Sequence, residues 1–278
     1  MDDTPWLQDM IDDEELQTLF TEDEEELQRG VRFLIRRTLE DADLESRLVD
    51  LVDLALEHRN DATNASVWAT VVLGEARSQL AIGTLERSLA ADHDEVLQDA
   101  AMVALLRIGT PALEAVMDTV DDDASVILRR AAYGLLGLTA VLEDDLLTER
   151  VGEFLKSRIG LERSLDVSEQ ALEELFTALA SLGRRDALDD MHATLREDRH
   201  SSQNPALLDA LERLENNAEG TAFVGNISPW EERYGWLFGD LRDAARVRRD
   251  EDEEDFGDDP TGEWFLQGLG QRPDGGPY

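Results

Sequence analysis

A chain of 278 residues with a formal charge of −38, no cysteine and no apolar run near ~18–20 residues excludes a disulfide framework, a thiolate nucleophile, a Cys-ligated metal and a helical membrane span. Of its 26 basic residues only Lys156 is a lysine, so no surface that neutralises phosphates is expected, and nucleic acid and anionic membranes would be repelled. The start, Met1-Asp2-Asp3-Thr4, lacks the basic lead and apolar centre of a signal peptide, and a cytoplasmic protein is expected.

The first 28 residues hold twelve acids and no base. Thr4-Pro5 caps a short predicted helix carrying Trp6, Leu7, Met10 and Ile11, and Leu16, Leu19 and Phe20 follow at helical spacing. Two readings stand: a lead-in that covers the first hairpin, or a helix that docks on a partner. Residues 25–41 predict a helix with Leu27, Val31, Leu34, Ile35 and Leu39 on one face. Its partner carries Leu44, Leu48, Leu51, Val52, Ala55 and Leu56, and Asn60-Asp61-Ala62-Thr63-Asn64 is a turn. Three hairpins follow at 66–91, 94–120 and 124–159, the third with a long second helix. The segment 160–167 reads as extra connector. Residues 168–183 and 186–197 form another hairpin, and Asn204-Pro205 restarts a helix that ends at Asn216-Asn217.

Composition changes after Ala218. Ten of the nineteen glycines and three of the five tryptophans lie beyond it, which marks a different kind of segment. Ser228-Pro229-Trp230-Glu231 is a capping box, and a helix over 229–248 is predicted, with Trp230, Tyr234, Leu237, Leu241 and Ala245 on one stripe. Residues 250–259 are eight acids in ten, and Trp264-Phe265-Leu266 stands alone in a Gly- and Pro-rich end that cannot bury enough apolar surface to order itself.

One six-residue phrase recurs: Val72-Leu73-Gly74-Glu75-Ala76-Arg77, Ala104-Leu105-Leu106-Arg107-Ile108-Gly109, Gly134-Leu135-Leu136-Gly137-Leu138-Thr139 and Ala178-Leu179-Ala180-Ser181-Leu182-Gly183. In the second copy the helix ends at Gly109, where a left-handed residue is needed, and Thr110-Pro111 restarts as N-cap and first helical position. Ala100, Ala101, Ala104, Ala131, Ala132 and Gly134 are expected where two helices approach closely. Self-similarity at this period points to stacked hairpins, none of which buries both its faces alone.

The pattern Val-x-x-x-Ala-Ala-x-x-Leu-Leu-x-Ile-Gly-x-Pro-Ala, then Leu and Val on a second helix and an acidic turn, resembles a HEAT-like repeat of the short kind found in phycobilisome lyases. The likeness covers residues 66–140 well and 167–216 more loosely. It implies an all-α, right-handed solenoid of stacked antiparallel hairpins with acidic, partly disordered termini. On this reading residues 1–22 are a lead-in or cap, 23–217 the repeat domain, 218–249 an aromatic helix and 250–278 an acidic tail. The resemblance implies an interaction scaffold first, and a lyase-like or chaperone-like factor acting on a cofactor-bearing protein as the alternative.

Candidate chemistry is sparse. His58, His93, His192 and His200 show no helical metal-pair spacing. The acidic turns at 92–95, 121–123 and 143–145 suit helix N-caps, with a hard-cation site as the competing reading. No phosphate loop, nucleophile elbow or nucleophile-base pair is present, so no catalytic residue, metal or cofactor is assigned and an enzyme is not expected. Arg129, Arg130, Arg184 and Arg185 sit among acids. They pair across neighbouring helices or read carboxylates on a partner. Trp264, Phe265 and Leu266 either cover the last hairpin or form a short motif for another protein. The expected function is non-enzymatic protein binding. The acidity fits a salt-accumulating cytoplasm or a basic partner, since net charge of this size keeps a protein soluble but repels itself at low salt.

Overall fold

The computed structural model describes residues 13–58, 64–91, 94–120, 124–142, 144–165, 169–197 and 204–217. These form eleven α-helices and three short 3-10 segments, with no strand among the described residues. The helices are α1 (Glu24–Thr38), α2 (Ala42–Glu57), α3 (Asn64–Glu75), α4 (Ile82–Leu89), α5 (Glu95–Ile108), α6 (Thr110–Thr119), α7 (Val126–Gly137), α8 (Asp145–Ser164), α9 (Glu169–Ser181), α10 (Leu188–Glu197) and α11 (Pro205–Asn216). No helix is long and apolar enough to cross a membrane among the described residues.

Each helix packs on the helix two places along, and consecutive helices meet most extensively at α2–α3, α4–α5 and α8–α9. The result is two rows: α1, α3, α5, α7, α9 and α11 in one, α2, α4, α6, α8 and α10 in the other. The substantial contacts join elements no more than three helices apart in the chain. Buried apolar residues run between the rows from Leu16 to Leu214 as one continuous cluster. Every hairpin therefore leaves apolar surface that only its neighbour covers.

Small residues set the spacing within the odd row. A Cβ on Gly74 would meet the Ala104 Cα on α5 at 2.5 Å, and one on Gly137 would meet the Ala178 Cα on α9 at 2.8 Å. These two junctions, α3 with α5 and α7 with α9, are the most extensive in the molecule. The α5–α7 junction between them is thinner, and Gly134 of α7 faces Glu174 on α9 instead of α5.

Three of the four copies of the recurrent phrase end on a residue with positive φ, and the fourth, Thr139, opens a 3-10 segment instead. Arg77, Gly109 and Gly183 have φ of 54, 86 and 67°, where a Cβ crowds the carbonyl that follows. Ser78 N–H donates to the Leu73 carbonyl and Arg184 N–H to the Leu179 carbonyl, the six-to-one bond that closes a helix end. Arg77 is the one non-glycine residue with positive φ among the described residues. Arg77→Gly is expected to raise stability by about 1 kcal/mol in urea unfolding at constant salt, because it relieves that crowding.

Polar residues at the turns have local work. Asp23, Asp41, Asp94, Ser125, Asp144 and Asn204 each accept a bond from a backbone N–H in the first turn of the helix that follows. Asp94 and Asp144 thus explain part of the acidic turns as caps. The lead-in at 13–20 lies on the first hairpin. Leu16 and Leu19 are buried, and Arg47 pairs with Asp13 and Glu15. Burial pushes the Asp13 carboxyl up, but bonds from Arg47 and from the N–H groups of Leu16 and Glu15 outweigh it and leave the carboxyl below its ordinary value.

Two sequence expectations are corrected. Residues 160–164 are not connector: α8 continues through them to Ser164, and Glu162 on this last turn is buried against Arg129. Thr110 is not the N-cap of α6. Gly109 both ends α5 and caps α6, its carbonyl accepting from Ala112 and Leu113, so Thr110 is the first helical residue.

Candidate functional site

Most cross-hairpin polar bonds join residues about one repeat apart. Arg87 pairs with Asp53, Arg107 with Glu75, Arg150 with Glu114, Arg129 with Glu162, Lys156 with Asp186 and Arg184 with Glu153. Ser78 donates to Glu45 and Thr119 to Glu86 in the same sense. Exposed members of such a ladder stabilise little individually, but each one favours a single register between neighbouring hairpins.

Three of the four arginines singled out from the sequence are committed inside this ladder. Arg129 is buried, its Nε donating to Glu162 Oε1 at 2.8 Å and its Nη1 to the Ala124 carbonyl. Tyr133 Oη donates to the same carboxylate oxygen at 2.7 Å. Burial and the bond to Glu162 hold the Tyr133 hydroxyl far above its ordinary value, so it stays protonated and donating. Arg184 lies over Gly152 of α8, where a Cβ would meet its Nη1 at 2.3 Å, and donates to the Glu149 carbonyl, Glu153 and Asp186. The bond from Arg184 holds the Asp186 carboxyl well below the usual carboxylate range, and Lys156 adds to it. Arg185 donates to the carbonyls of Leu214, Glu215 and Asn217 and closes the C-terminus of α11.

Arg130, on α7, is exposed, as is Arg185. Burial raises the carboxyl of Glu174, on α9, above its ordinary value, and the charge of Arg130 pulls it back. Trp264, Phe265 and Leu266 lie outside the described residues.

The open concavity lies elsewhere, along α8. Its twenty residues span about 30 Å, whereas the ten residues of α6 and of α10, its neighbours in the row, span about 15 Å each. A groove of about 830 Å³ opens between the last turn of α6 and the facing side of α8. Leu146, Arg150, Phe154 and Arg158, four residues apart on one face of α8, form one wall, with Glu149 and Glu153 beside them. Met117 and Asp118, at the end of α6, form the other. Leu146 is 75% exposed and leaves its side chain at the mouth of the groove. The Arg158 guanidinium sits 4.6 Å from the Phe154 ring centre, a cation–π stack that flattens the floor.

The charges around the groove are not equivalent. Arg150 is tied to Glu114 and Glu153 to Arg184. Asp118 and Glu149 make no side-chain ion pair among the described residues and face the opening. The groove thus combines Met117, Leu146 and Phe154 with charges of both signs, Asp118, Glu149 and Glu153 against Arg150 and Arg158.

Sequence reasoning did not single out Leu146, Phe154, Arg158, Asp118 or Glu149. No motif or spacing in the sequence marks them, because the groove is made by two helices that meet only in the fold. No metal cluster of three or more His, Asp or Glu is present among the described residues. Compared with protein-family models and with curated proteins, the chain matches none.

Proposed function

We propose that this chain is a right-handed α-solenoid of HEAT-like hairpins and acts as a non-enzymatic scaffold or adaptor that binds another protein. The observation that carries the reading is the two-row stack, held at one-repeat intervals by ion pairs, which leaves a single long helix with an uncovered apolar face. Such a stack displays an extended surface and gathers no acid, base and nucleophile at one point. The buried Arg129–Glu162–Tyr133 group reads as a structural tie, since Glu162 Oε1 accepts from both partners and Arg129 also holds the Ala124 carbonyl.

The test is affinity capture at high salt with the full chain and with Leu146→Asp. Leu146 is exposed, so the substitution leaves the core intact. A protein recovered with the parent chain and lost with the variant is the expected result. Equal recovery with both chains, or none with either, overturns the reading.

A further inference from the structure

We infer that copies of this chain associate end to end, the outer face of α1 in one copy docking on the outer face of α11 in the next. This goes beyond the scaffold reading: it makes the scaffold extendable and names the two surfaces that extend it.

The odd row is open at both ends. Its contacts run from α1–α3 to α9–α11, so among the described residues α1 lacks a row neighbour on one side and α11 on the other. The lead-in covers the flank of α1 at Gly30, where a Cβ would meet Thr18, and leaves the face opposite Val31 and Leu34 open. Five large apolar side chains are exposed among the described residues, and two of them, Phe33 and Leu208, lie on these end faces. Repeats stabilised by stacking leave at each end a face that another stack can cover.

The two faces differ in charge. Arg29, Arg32, Phe33 and Arg36 fall within about 100° of one another round α1. In a chain of net charge −38, these three arginines make no ion pair among the described residues. Arg29 and Arg36 donate only to the carbonyls of Glu25 and Arg32 on their own helix. On α11, Leu208, Asp209, Glu212 and Glu215 fall within about 120°. Glu212 makes no ion pair among the described residues, while Arg213 lies 4.0 Å from Asp209 and His192 2.9 Å from Glu215. Arg213 itself is about 100° round from Glu212, at the edge of the face.

The spacing matches as well. Laid side by side in one direction with first residues level, the helices bring Arg29, Arg32 and Arg36 within about 3 Å, along the axis, of Asp209, Glu212 and Glu215. Glu25 and Glu26, the acids on the α1 face, then fall level with Ala206 and Leu207, which carry no charge. The docking is heterologous, since each copy offers two different faces, so it continues from copy to copy and does not stop at a dimer. The even row adds nothing: its end helices α2 and α10 expose Asp43, Asp50, Asp189 and Asp190, which repel. A contact of two helix faces lies at the low end of interface sizes, and a Kd on the order of 100 μM is expected.

Sedimentation equilibrium of the full chain over about 5 to 500 μM tests this in ~1 M salt, which confines the repulsion between copies to about 3 Å. The expected result is a mean mass that rises with concentration past that of two copies. Arg32→Glu and Glu212→Arg, both at the surface, should each weaken association about tenfold, an ion pair being replaced by a repulsion. An equimolar mixture of the two variants should associate like the parent chain, because every contact then joins opposite charges. The double variant in one chain should do so too. A monomer mass at every concentration overturns the inference, as does an assembly that stops at two copies. Association that neither variant weakens, or that mixing does not restore, overturns it as well. Leu146 lies on α8, in the other row, so capture through the groove and end-to-end association are read by separate variants.

Discussion

Glu162→Ala is expected to cost about 3–5 kcal/mol of unfolding free energy, measured by urea titration at constant high salt. The Glu162 side chain is fully buried and that of Arg129 is 6% exposed. Removing the carboxylate strands a guanidinium that water cannot reach and takes the acceptor from Tyr133 Oη. A buried charge without its counter-ion is among the largest single destabilisations known. The pair itself adds little net stability, because bringing both ions out of water offsets most of their attraction. The double variant Arg129→Met with Glu162→Leu is therefore expected to recover most of the loss. A cost below about 1 kcal/mol for Glu162→Ala, or a double variant as unstable as the single, contradicts the assignment.

Gly74→Val comes second in size. Even an alanine Cβ at Gly74 would sit 2.5 Å from the Ala104 Cα and 2.7 Å from its Cβ, and backbone on α5 cannot swing away as a flexible side chain would. Valine forces α3 and α5 apart at the best-packed junction of the odd row, at a cost of about 3 kcal/mol, the upper end for overpacking. Gly137→Val acts in the same way against Ala178. Gly83 supplies the contrast: nothing lies within 4 Å of its would-be Cβ, so Gly83→Ala should stabilise α4 by up to about 1 kcal/mol. Urea midpoints of the three variants read the difference directly.

The helices were legible because their stripes repeat and their ends carry caps. Asn204-Pro205 at the start of α11 and the acids before α5 and α8 are where the sequence puts them, since a cap is a local interaction between a side chain and the next turn. The close approach of small residues was legible in kind, because only Ala and Gly let helix backbones meet. Its particular partners were not: Gly74, third in its phrase, meets Ala104, the first residue of the next, and that offset depends on how two helices cross. The extension of α8 to Ser164 was missed for a similar reason. Gly160 and the charges of 162–163 look like a loop until Glu162 is seen to face Arg129 across the hairpin. Among the arginines, composition alone gave no means to separate Arg129, buried and paired, from Arg130, one residue later and exposed. The groove was hidden for a different cause. It depends on how α6 and α8 sit side by side, and no residue within α8 announces it.

The central claim is that hairpins are stabilised by those beside them and not by the whole. Hydrogen exchange on Gly74→Val at high salt tests this most directly. The account predicts that amides of α3–α5 lose protection steeply while those of α9–α11 stay within about 0.5 kcal/mol of the parent chain. Equal loss of protection from α1 to α11 would contradict it.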